Sequence, residues 1–409
     1  MTDGDQRDQG SDHMAARRRR MRQGGAVLAT AAVAAMTATV FTVPAQAQTR
    51  GGAHDATRRA MDAVVAGGVP GVTGQASDRH GVWKSASGVG NLKTGAPRGA
   101  DDRFRIASIT KTFVATVLLQ QEAEGELNLD DTVEKWLPGL VRGNGNDGRK
   151  ISVRQLLNHT SGLFDYTNDP DYQATYMVSD GFLKHRFETR TPQTAVQVAM
   201  RHQPDFAPGA KHAYSNTNYV LAGLITEAAG GNSYAHEVRQ RIIKPLGLRA
   251  TTVPGNTSRM PQPSSRAYSK LFVDTPAGKV YDVTLQNASQ SWADGDIISS
   301  AADLNRFFGA LLGGKILPPE QLKEMKTTVP DPDDPAGGGY GLGLIAANTS
   351  CGVRLWGHSG GWLGSISNAV TTEDGRHSLA YNANGDWTGE GMAQVTEAEF
   401  CGDGKPGKG

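Results

Sequence analysis

The stretch Leu355-Trp-Gly-His-Ser-Gly-Gly-Trp-Leu363 contains the pattern Gly-x-Ser-x-Gly, and its interpretation decides the fold. In one class of α/β enzymes this pattern forms a sharp turn between a strand and a helix, which exposes a nucleophilic serine. Here the residues that follow, 362–370, include glycine and β-branched residues and favour a strand over a helix. The required context is absent, so Ser359 is predicted to be a strand residue and not the nucleophile.

Short strands are predicted on both sides of this stretch, over residues 340–347, 353–358, 365–372 and 376–382. The turns between them, such as Glu373-Asp374-Gly375, are short. Strands joined in this way must be antiparallel, because parallel neighbours need a crossover of about a dozen residues or more. The C-terminal part of the chain therefore predicts an antiparallel meander.

The rest of the chain adds helices and a second hairpin. The predicted elements are a helix at 55–66, strands at 72–77 and 82–87, helices at 110–124 and 218–229, a helix that begins at the capping residue Ser300, and a closing helix at 391–400. This order predicts an α+β fold. We expect an antiparallel sheet built from both chain ends and flanked by helices, with an all-helical lobe inserted over roughly residues 128–300.

The N-terminal residues have the pattern of an export signal. Residues 14–47 combine an arginine cluster, an apolar run at 26–43 and the small-x-small triplet Ala45-Gln46-Ala47. A membrane anchor is the alternative, but the run is mostly alanine and threonine. We expect cleavage near Ala47, a secreted protein without a stable membrane anchor, and a hydrolase domain over 48–409. Residues 1–13 are a polar extension, and the true start codon and the export route, general or twin-arginine, stay open.

Charge and cysteine content exclude several functional classes. Lys and Arg number 42 against 41 Asp and Glu, so the chain has no electrostatic footprint for nucleic acid. The His236-Glu237 pair lacks the second histidine of His-Glu-x-x-His, and no metal or other cofactor is predicted. The only cysteines are Cys351 and Cys401; a disulfide between them is expected in an oxidising compartment, with two buried thiols as the alternative.

The candidate nucleophile is Ser108, in Phe104-Arg-Ile-Ala-Ser-Ile-Thr-Lys111. A serine hydroxyl needs a neighbouring base, and a helix places residues i and i+3 on one face, so Lys111 is suitably spaced. At a helix N-terminus Ser108 would lie among free backbone N–H groups, which favour developing negative charge. The non-catalytic alternative is a capping serine with a lysine that extends towards solvent.

Two other motifs carry suitable chemistry. His212-Ala-Tyr-Ser-Asn216 precedes the predicted helix at 218, and a tyrosine beside a lysine can serve as a general base. His358-Ser359-Gly360 offers an ionisable ring, a hydroxyl and a glycine that permits close approach of a substrate backbone. A second Tyr-x-Asn, Tyr166-Thr-Asn168, lies in a less regular region and is not assigned a role.

Ser-x-x-Lys, Tyr-x-Asn and His-Ser-Gly, in this order, resemble the motifs of the serine β-lactamase and penicillin-binding protein superfamily. The chain looks most like exported D-alanyl-D-alanine carboxypeptidases related to class C β-lactamases. The likeness spans about residues 60–401 and includes Leu156-Leu-Asn-His-Thr-Ser-Gly-Leu163, Pro208-Gly209 and Tyr340-Gly-Leu-Gly-Leu344. Class C enzymes usually have Lys-Thr-Gly in place of His-Ser-Gly, which counts against efficient β-lactam hydrolysis here.

The resemblance implies roles for individual residues. Ser108 would form an acyl-enzyme, with Lys111 and Tyr214 transferring its proton and the N–H groups of Ser108 and Gly361 holding the oxyanion. His358 is the nearest candidate cation for a terminal carboxylate. The expected substrate-binding residues are Asn216, His358, Ser359, Gly360 and Gly361, with Phe164, Thr167 and Trp292 as further pocket candidates.

The predicted function is a penicillin-sensitive D-alanyl-D-alanine carboxypeptidase. The resemblance implies a cell-wall peptide or another small acyl compound as substrate, β-lactams as inhibitors, and a monomer. The alternatives are a serine esterase or amidase of this fold, a weak β-lactamase, and a non-catalytic penicillin-binding sensor. The sequence does not separate them, because one acyl-enzyme chemistry accepts several leaving groups.

Overall fold

The computed structural model describes residue 52 and residues 54–272, 278–331 and 337–402. The N-terminal extension and the export signal predicted from the sequence lie outside the described residues. In chain order the strands are β1 (Gly71–Asp78), β2 (Gly81–Gly88), β3 (Phe104–Arg105), β4 (Arg142–Gly143), β5 (Asn146–Asp147), β6 (Tyr268–Ser269), β7 (Tyr281–Asp282), β8 (Ile298–Ser299), β9 (Ile345–Asn348), β10 (Arg354–Trp362), β11 (Ser365–Thr372) and β12 (Ser378–Ala383).

Helices occupy most of the segment between β3 and β9. In chain order the α-helices are α1 (Asp55–Ala66), α2 (Thr110–Ala123), α3 (Val133–Trp136), α4 (Val153–Leu157), α5 (Pro170–Tyr176), α6 (Ser179–His185), α7 (Pro192–Met200), α8 (Asn216–Gly230), α9 (Tyr234–Val238), α10 (Lys244–Leu246), α11 (Ala301–Leu312), α12 (Pro319–Met325) and α13 (Met392–Cys401). A π-helical segment, Arg239–Ile243, joins α9 to α10. Short 3₁₀ turns at Ala107–Ile109, Tyr166–Asn168 and Trp292–Asp294 lie near the site described below.

The main sheet is assembled from both ends of the chain, which confirms the prediction. Its spatial order is β2-β1-β12-β11-β10-β9, and every neighbouring pair is antiparallel. Helix α11 packs on one face, against β11, β12 and β1. Helices α1 and α13 pack together over the opposite face, where Met61, Tyr381 and Val395 share an apolar cluster. The α+β class follows directly.

The inserted segment 128–300 is not all-helical, which corrects one expectation. Strands β4 and β5 pair with each other, as do β6 and β7, and β8 pairs with β3. The first of these pairs forms because Gly143, Asn144 and Gly145 all have positive φ and reverse the chain tightly. Glycine and asparagine adopt this conformation readily, and the short hairpin they produce was missed in a segment rich in helical pattern.

Helix α2 carries the Ser-x-x-Lys motif into the interior. It is buried over nearly its whole surface, as its apolar composition predicts. Phe113 of α2 stacks on Phe307 of α11 with ring centroids 3.8 Å apart. This packing holds α2 against the helix that covers the sheet, so the start of α2 has a fixed position beside β10.

A disulfide joins Cys351, in the turn before β10, to Cys401 at the end of α13. The Cα atoms are 5.8 Å apart, within the usual range for a bridge. Such bridges are typical of proteins in oxidising compartments. Within the described residues no helix has the length and apolarity needed to cross a membrane, and no group of three or more His, Cys, Asp or Glu residues is arranged to hold a metal ion.

Candidate active site

Ser108 and Lys111 are brought together by the first turn of a buried helix. Ser108 lies in the 3₁₀ turn Ala107–Ile109, which runs into α2. The Lys111 side chain is fully buried, and its Nζ lies 3.1 Å from Ser108 Oγ. Ala107 has a φ of 47°, a conformation that costs a non-glycine residue about 1–3 kcal/mol and is typical of functional sites.

The partners of Lys111 define which atoms can exchange a proton with Ser108. Nζ also lies 2.8 Å from Asn216 Oδ1 and 2.8 Å from the carbonyl oxygen of Asp294. Both of these oxygens accept hydrogen bonds only. With Ser108 Oγ, these oxygens give Nζ three hydrogen-bonding partners. The geometry therefore places Lys111 Nζ where it can exchange a proton with Ser108.

Asn216 stands at the start of α8 and is oriented by a buried acid. Its Nδ2 donates to Asp165 Oδ2 at 3.0 Å and to Thr167 Oγ1 at 3.4 Å, while its Oδ1 faces Lys111. The orientation of the amide follows from these partners, because a carboxylate requires a donor and Lys111 requires an acceptor. Burial raises the pKa of Asp165, although Asp165 accepts three hydrogen bonds from Thr167 and Asn216.

Tyr214 lies at the mouth of the site, with 39% of its surface exposed. Lys111 Nζ is 5.0 Å from the centroid of its ring, and the ring packs on His159 with centroids 4.2 Å apart. The structure thus brings Tyr214 beside Lys111. Within the described part of the chain the hydroxyl of Tyr214 makes no hydrogen bond to Ser108 or Lys111, so its role in proton transfer stays a prediction.

Strand β10 passes directly over the Ser108 turn. A Cβ atom built on Gly360 would lie 2.2 Å from the carbonyl oxygen of Ile106 and 3.0 Å from the nitrogen of Ser108, so only glycine fits there. Gly361 faces open space and lines the same cavity as Ser108. Strand β9 pairs with β10 only as far as Gly357, so the part of β10 near Ser108 extends beyond its pairing with β9.

His358 is buried and neutral, which contradicts its predicted role as the cation for a carboxylate. Its Nδ1 contacts the carbonyl oxygen of Ser359 at 2.5 Å, and its Nε2 lies 2.9 Å from the hydroxyl of Tyr340. Burial, with a smaller effect of nearby Lys111, lowers the pKa of His358 to about 3, although the hydrogen bond to the Ser359 carbonyl acts in the opposite direction. The sequence showed an ionisable ring but not the burial that keeps it uncharged.

The tautomer of His358 follows from a chain of hydrogen bonds. Nδ1 must carry the proton because it faces a carbonyl, so Nε2 accepts from Tyr340. The Tyr340 oxygen in turn accepts from His159 Nε2 at 3.2 Å, and His159 Nδ1 accepts from Asn218 at 3.0 Å. This explains the Leu156–Leu163 motif, whose histidine connects α8 to β10 through Tyr340.

The remaining residues that were predicted to bind substrate do not all line the Ser108 cavity. Thr167 lines the Ser108 cavity. Ser359 faces a separate cavity that it shares with Asn368 and Thr396. The ring of Phe164 stacks on His202 with centroids 3.9 Å apart, and Trp292 packs against Gly223 and Tyr234, so neither of these aromatic side chains lines the Ser108 cavity.

The sequence-based search missed the acidic wall of the site. The hydroxyl of Tyr166 donates to Asp294 Oδ2 at 2.6 Å, and both residues are buried and line the Ser108 cavity. The Tyr166-Thr-Asn168 segment, to which no role was assigned, therefore contributes a pocket residue. Burial raises the pKa of Asp294 to about 7, opposed mainly by Lys111 and by the hydrogen bond from Tyr166.

The cavity beside Ser108 is small. Its volume is about 140 Å³, and for comparison an engineered cavity of roughly 150 Å³ holds one benzene molecule. The described residues that line it are Ala107, Ser108, Tyr166, Thr167, Met177, Asn216, Phe272, Ser291, Asp294, Gly295, Gly361 and Trp362. None of them is a lysine, an arginine or a histidine.

Comparisons with known proteins agree with this geometry. A family model described as Beta-lactamase matches residues 32–400. The solved D-stereospecific amidohydrolase from Streptomyces sp. is 55% identical, with a TM-score of 0.81, over 86% of this chain and 99% of that one. The D-amino acid amidase from Ochrobactrum anthropi SV3, solved with L-phenylalanine amide, is 30% identical, with a TM-score of 0.73, over 85% and 98%. Penicillin-binding protein 4* of Bacillus subtilis (strain 168) is 28% identical over 74% of this chain.

The chain therefore belongs to the beta-lactamase family, and the superfamily resemblance carried by its three motifs is confirmed. Because this is a family of serine hydrolases, membership supports the prediction that the protein is a hydrolase. The alignment with penicillin-binding protein 4* spans 65% of that protein, which is less than two thirds of its length.

Proposed function

We propose that this protein is a serine amidohydrolase that cleaves an amide bond on the carbonyl side of a D-configured residue. The observation that carries the proposal is the contact between Ser108 Oγ and Lys111 Nζ, 3.1 Å long, in a pocket wide enough for one small acyl group. The D configuration is supported by likeness to the Streptomyces amidohydrolase, which is 55% identical over nearly its whole length.

The proposed reaction begins with transfer of the Ser108 proton to the lone pair of Lys111. Ser108 Oγ then bonds to the carbonyl carbon, and the N–H groups of Ser108 and Gly361 hold the resulting oxyanion. Each such donor is typically worth about 3–4 kcal/mol in the transition state. The C–N bond breaks as Lys111, with Tyr214 beside it, returns the proton to the leaving amine. Water then attacks the ester, Lys111 takes one of its protons, and Ser108 regains a proton as the acid leaves.

The carboxypeptidase predicted from the sequence is the second candidate, because it would use the same acyl-enzyme. A carboxypeptidase must recognise a terminal carboxylate, which is usually done by a cation. His358 is neutral, and the described residues that line the Ser108 cavity include no lysine, arginine or histidine. The nearby buried Lys111 already makes three contacts. The amidohydrolase needs no such group. We also keep the proposal that the protein is exported, which the disulfide supports.

A substrate panel tests the proposal. It contains a D-amino-acid amide, its L enantiomer, an N-acylated D-alanyl-D-alanine peptide, a p-nitrophenyl ester and a cephalosporin, each with wild type and Ser108→Ala. We expect turnover of the D amide, at least 100-fold weaker turnover of the L amide, and loss of both in the variant. A labelled penicillin should form its adduct on Ser108, located by peptide mass mapping.

Other outcomes of the panel would support a different function. Stereospecific release of D-alanine from the peptide without amide turnover would replace the proposal by the carboxypeptidase. Ester turnover alone would indicate an esterase, and efficient cephalosporin hydrolysis a β-lactamase. Penicillin labelling without any turnover would indicate a sensor, and an adduct on another serine would end the assignment of Ser108.

A further inference from the structure

A second, smaller cavity lies beside β3 and shares no lining residue with the Ser108 cavity. Its volume is about 20 Å³, and roughly 10–15 Å³ is needed to hold one water molecule. The described residues that line it are Arg98, Arg103, Phe104, Arg105, Met260, Ser265, Arg266, Ala267, Thr284, Gly364, Ser365, Asn382 and Asn384. Four of these residues are arginines, and none is an aspartate or a glutamate.

Two of the four arginines are buried. Arg98 and Arg105 are each 6% exposed. Burial lowers the pKa of each to about 10, although nearby carboxylates act in the opposite direction. Both guanidinium groups therefore stay charged at neutral pH. A charge in a protein interior is costly unless an opposite charge accompanies it.

Carboxylates outside the lining pair with two of the arginines. Arg98 Nε lies 3.3 Å from Asp102 Oδ2, and Arg266 Nη1 lies 3.6 Å from Asp282 Oδ2. The first pair is incomplete, because Arg98 Nε is buried and donates no hydrogen bond to any described residue. A buried donor without an acceptor is unfavourable, so Arg98 is suited to a further partner that accepts.

The other two arginines have no ion pair with the residues that the structure describes. Arg105 Nη2 donates to the carbonyl oxygen of Gln286 at 2.9 Å, and Asp296 acts on Arg105 only from beyond ion-pair distance. The half-buried side chain of Arg103 forms neither a hydrogen bond nor an ion pair with a described residue. The cavity is therefore surrounded by more positive than negative charge.

We propose that this cavity is a binding site for one small monatomic anion, chloride, held by Arg98 and Arg103. Its volume excludes larger anions such as phosphate or sulfate. Arg103 and Arg105 directly precede the Ser108 turn, and Ser365 Oγ of β11 donates to the carbonyl oxygen of Arg105 at 2.7 Å. A bound chloride would thus stabilise the segment that leads to the nucleophile, from outside the Ser108 cavity. The inference does not depend on the substrate of the protein.

The experiment measures thermal unfolding of the full chain in sodium chloride, sodium bromide and sodium gluconate. All three are used at the same ionic strength of about 0.15 M, so that general screening is equal. An anion that binds only the folded state raises the Tm, and we expect both halides to raise it by about 3 °C or more relative to gluconate. Crystals grown with bromide should show an anomalous peak inside the cavity.

Variants at Arg103 test whether the effect arises at this site. Arg103→Gln should lose the difference in Tm between halide and gluconate, while Arg103→Lys, which keeps the charge, should retain part of it. The control is Arg376→Gln, because the Arg376 side chain is 86% exposed and lies outside this lining. It should keep the wild-type difference.

Several results would overturn the inference. Equal Tm values of the wild type in halide and gluconate would do so, as would an undiminished halide effect in Arg103→Gln. A bromide peak without halide-dependent stabilisation would indicate an adventitious ion only. A water in place of bromide would also contradict the proposal; Asn384 Oδ1, an acceptor of the lining without a hydrogen bond, would suit a water. If Arg103→Gln does not fold, the two wild-type measurements and Arg103→Lys decide.

Discussion

The two walls of the Ser108 cavity differ in how their polar groups are satisfied. On the helix wall, formed by Ser108, Lys111 and Asn216, the functional atoms already contact one another at 2.8–3.1 Å. On the loop wall, formed by Tyr166, Ser291, Asp294 and Gly295, Asp294 keeps a carboxyl oxygen without a donor among the described residues. The helix wall is complete before a ligand binds, as catalysis by preorganised groups requires. The loop wall leaves that oxygen open to a ligand or to solvent.

The largest effect on the rate of acylation is expected when a residue of the helix wall is replaced. Lys111→Ala removes the group that we propose receives the Ser108 proton, and loss of a general base typically costs about 10²–10⁴ in rate. We expect acylation by a labelled penicillin to slow by about 10³, with the adduct still on Ser108. Stopped-flow or quenched labelling followed by mass spectrometry measures this rate.

The control for this variant is Lys135→Ala, because Lys135 lies on the surface in an exposed pair with Asp131. It should acylate at the wild-type rate. If Lys111→Ala also acylated at the wild-type rate, the proton would have another acceptor, and Tyr214, beside Lys111, would be the first residue to test.

The residues of the helix wall could be predicted from the sequence and most of those of the loop wall could not, for a physical reason. Ser108 and Lys111 are three residues apart on one helix, so local periodicity alone brings them together. Tyr166 and Asp294 are 128 residues apart and meet through tertiary packing, which a single sequence does not reveal. Trp292 was predicted to line the pocket, but its ring packs against Gly223, and the acidic side chain that lines the Ser108 cavity, Asp294, is two residues further on.

The fold shows the same difference between features set by local sequence and features set by long-range contacts. The helix over Asp55–Ala66 and the strand over Ser365–Thr372 have the predicted bounds, because hydrophobic spacing and flanking glycines define them. Strand β10 was predicted over residues 353–358, before Ser359, Gly360 and Gly361. It continues to Trp362 because those glycines let it lie against the Ser108 turn, a long-range contact.

A second prediction concerns stability and sharpens the account of the loop wall. Burial raises the pKa of Asp294 from 3.8 to about 7, so the folded state holds this proton more tightly than the unfolded chain. The resulting stabilisation is fully present below about pH 4 and is lost as the pH rises through 7. Lys111 and Arg190 oppose the shift, Asp165 adds to it, and Tyr166 donates to the carboxyl; nearby Asp296 is also buried.

Asp294→Asn abolishes this titration. Between pH 5 and pH 8 the free energy of unfolding of the wild type should fall relative to the variant by about 2–3 kcal/mol, at about 1.4 kcal/mol per pKa unit. Urea unfolding of both proteins at pH 5, 6, 7 and 8 measures the difference. Asp101→Asn, a change at an exposed acid, shows the general effect of removing one negative charge. Parallel curves for wild type and Asp294→Asn would mean that Asp294 does not titrate in this range.

The smallest effect is expected at the serine of the Gly-x-Ser-x-Gly pattern. Ser359 is exposed on β10 and faces a cavity shared with Asn368, Thr396 and Glu397, on the side of the sheet covered by α13. Its side chain points to the opposite face of the strand from the Cβ direction of Gly360, and the backbone of Gly360 meets the Ser108 turn. The backbone of β10 therefore serves the site, while the hydroxyl of Ser359 points away from the cavity around Ser108.

Ser359→Ala should therefore change kcat/KM for the D amide by less than about threefold, since surface substitutions away from special features have small effects. Ser108→Ala is the matched serine variant and should abolish turnover. A loss of tenfold or more in Ser359→Ala would place its hydroxyl on the substrate, as the family resemblance implies. If that loss were confined to carboxylate-terminated peptides, the cavity beside Ser359 would be their binding site, and the carboxypeptidase would replace the amidohydrolase as the better account of this pocket.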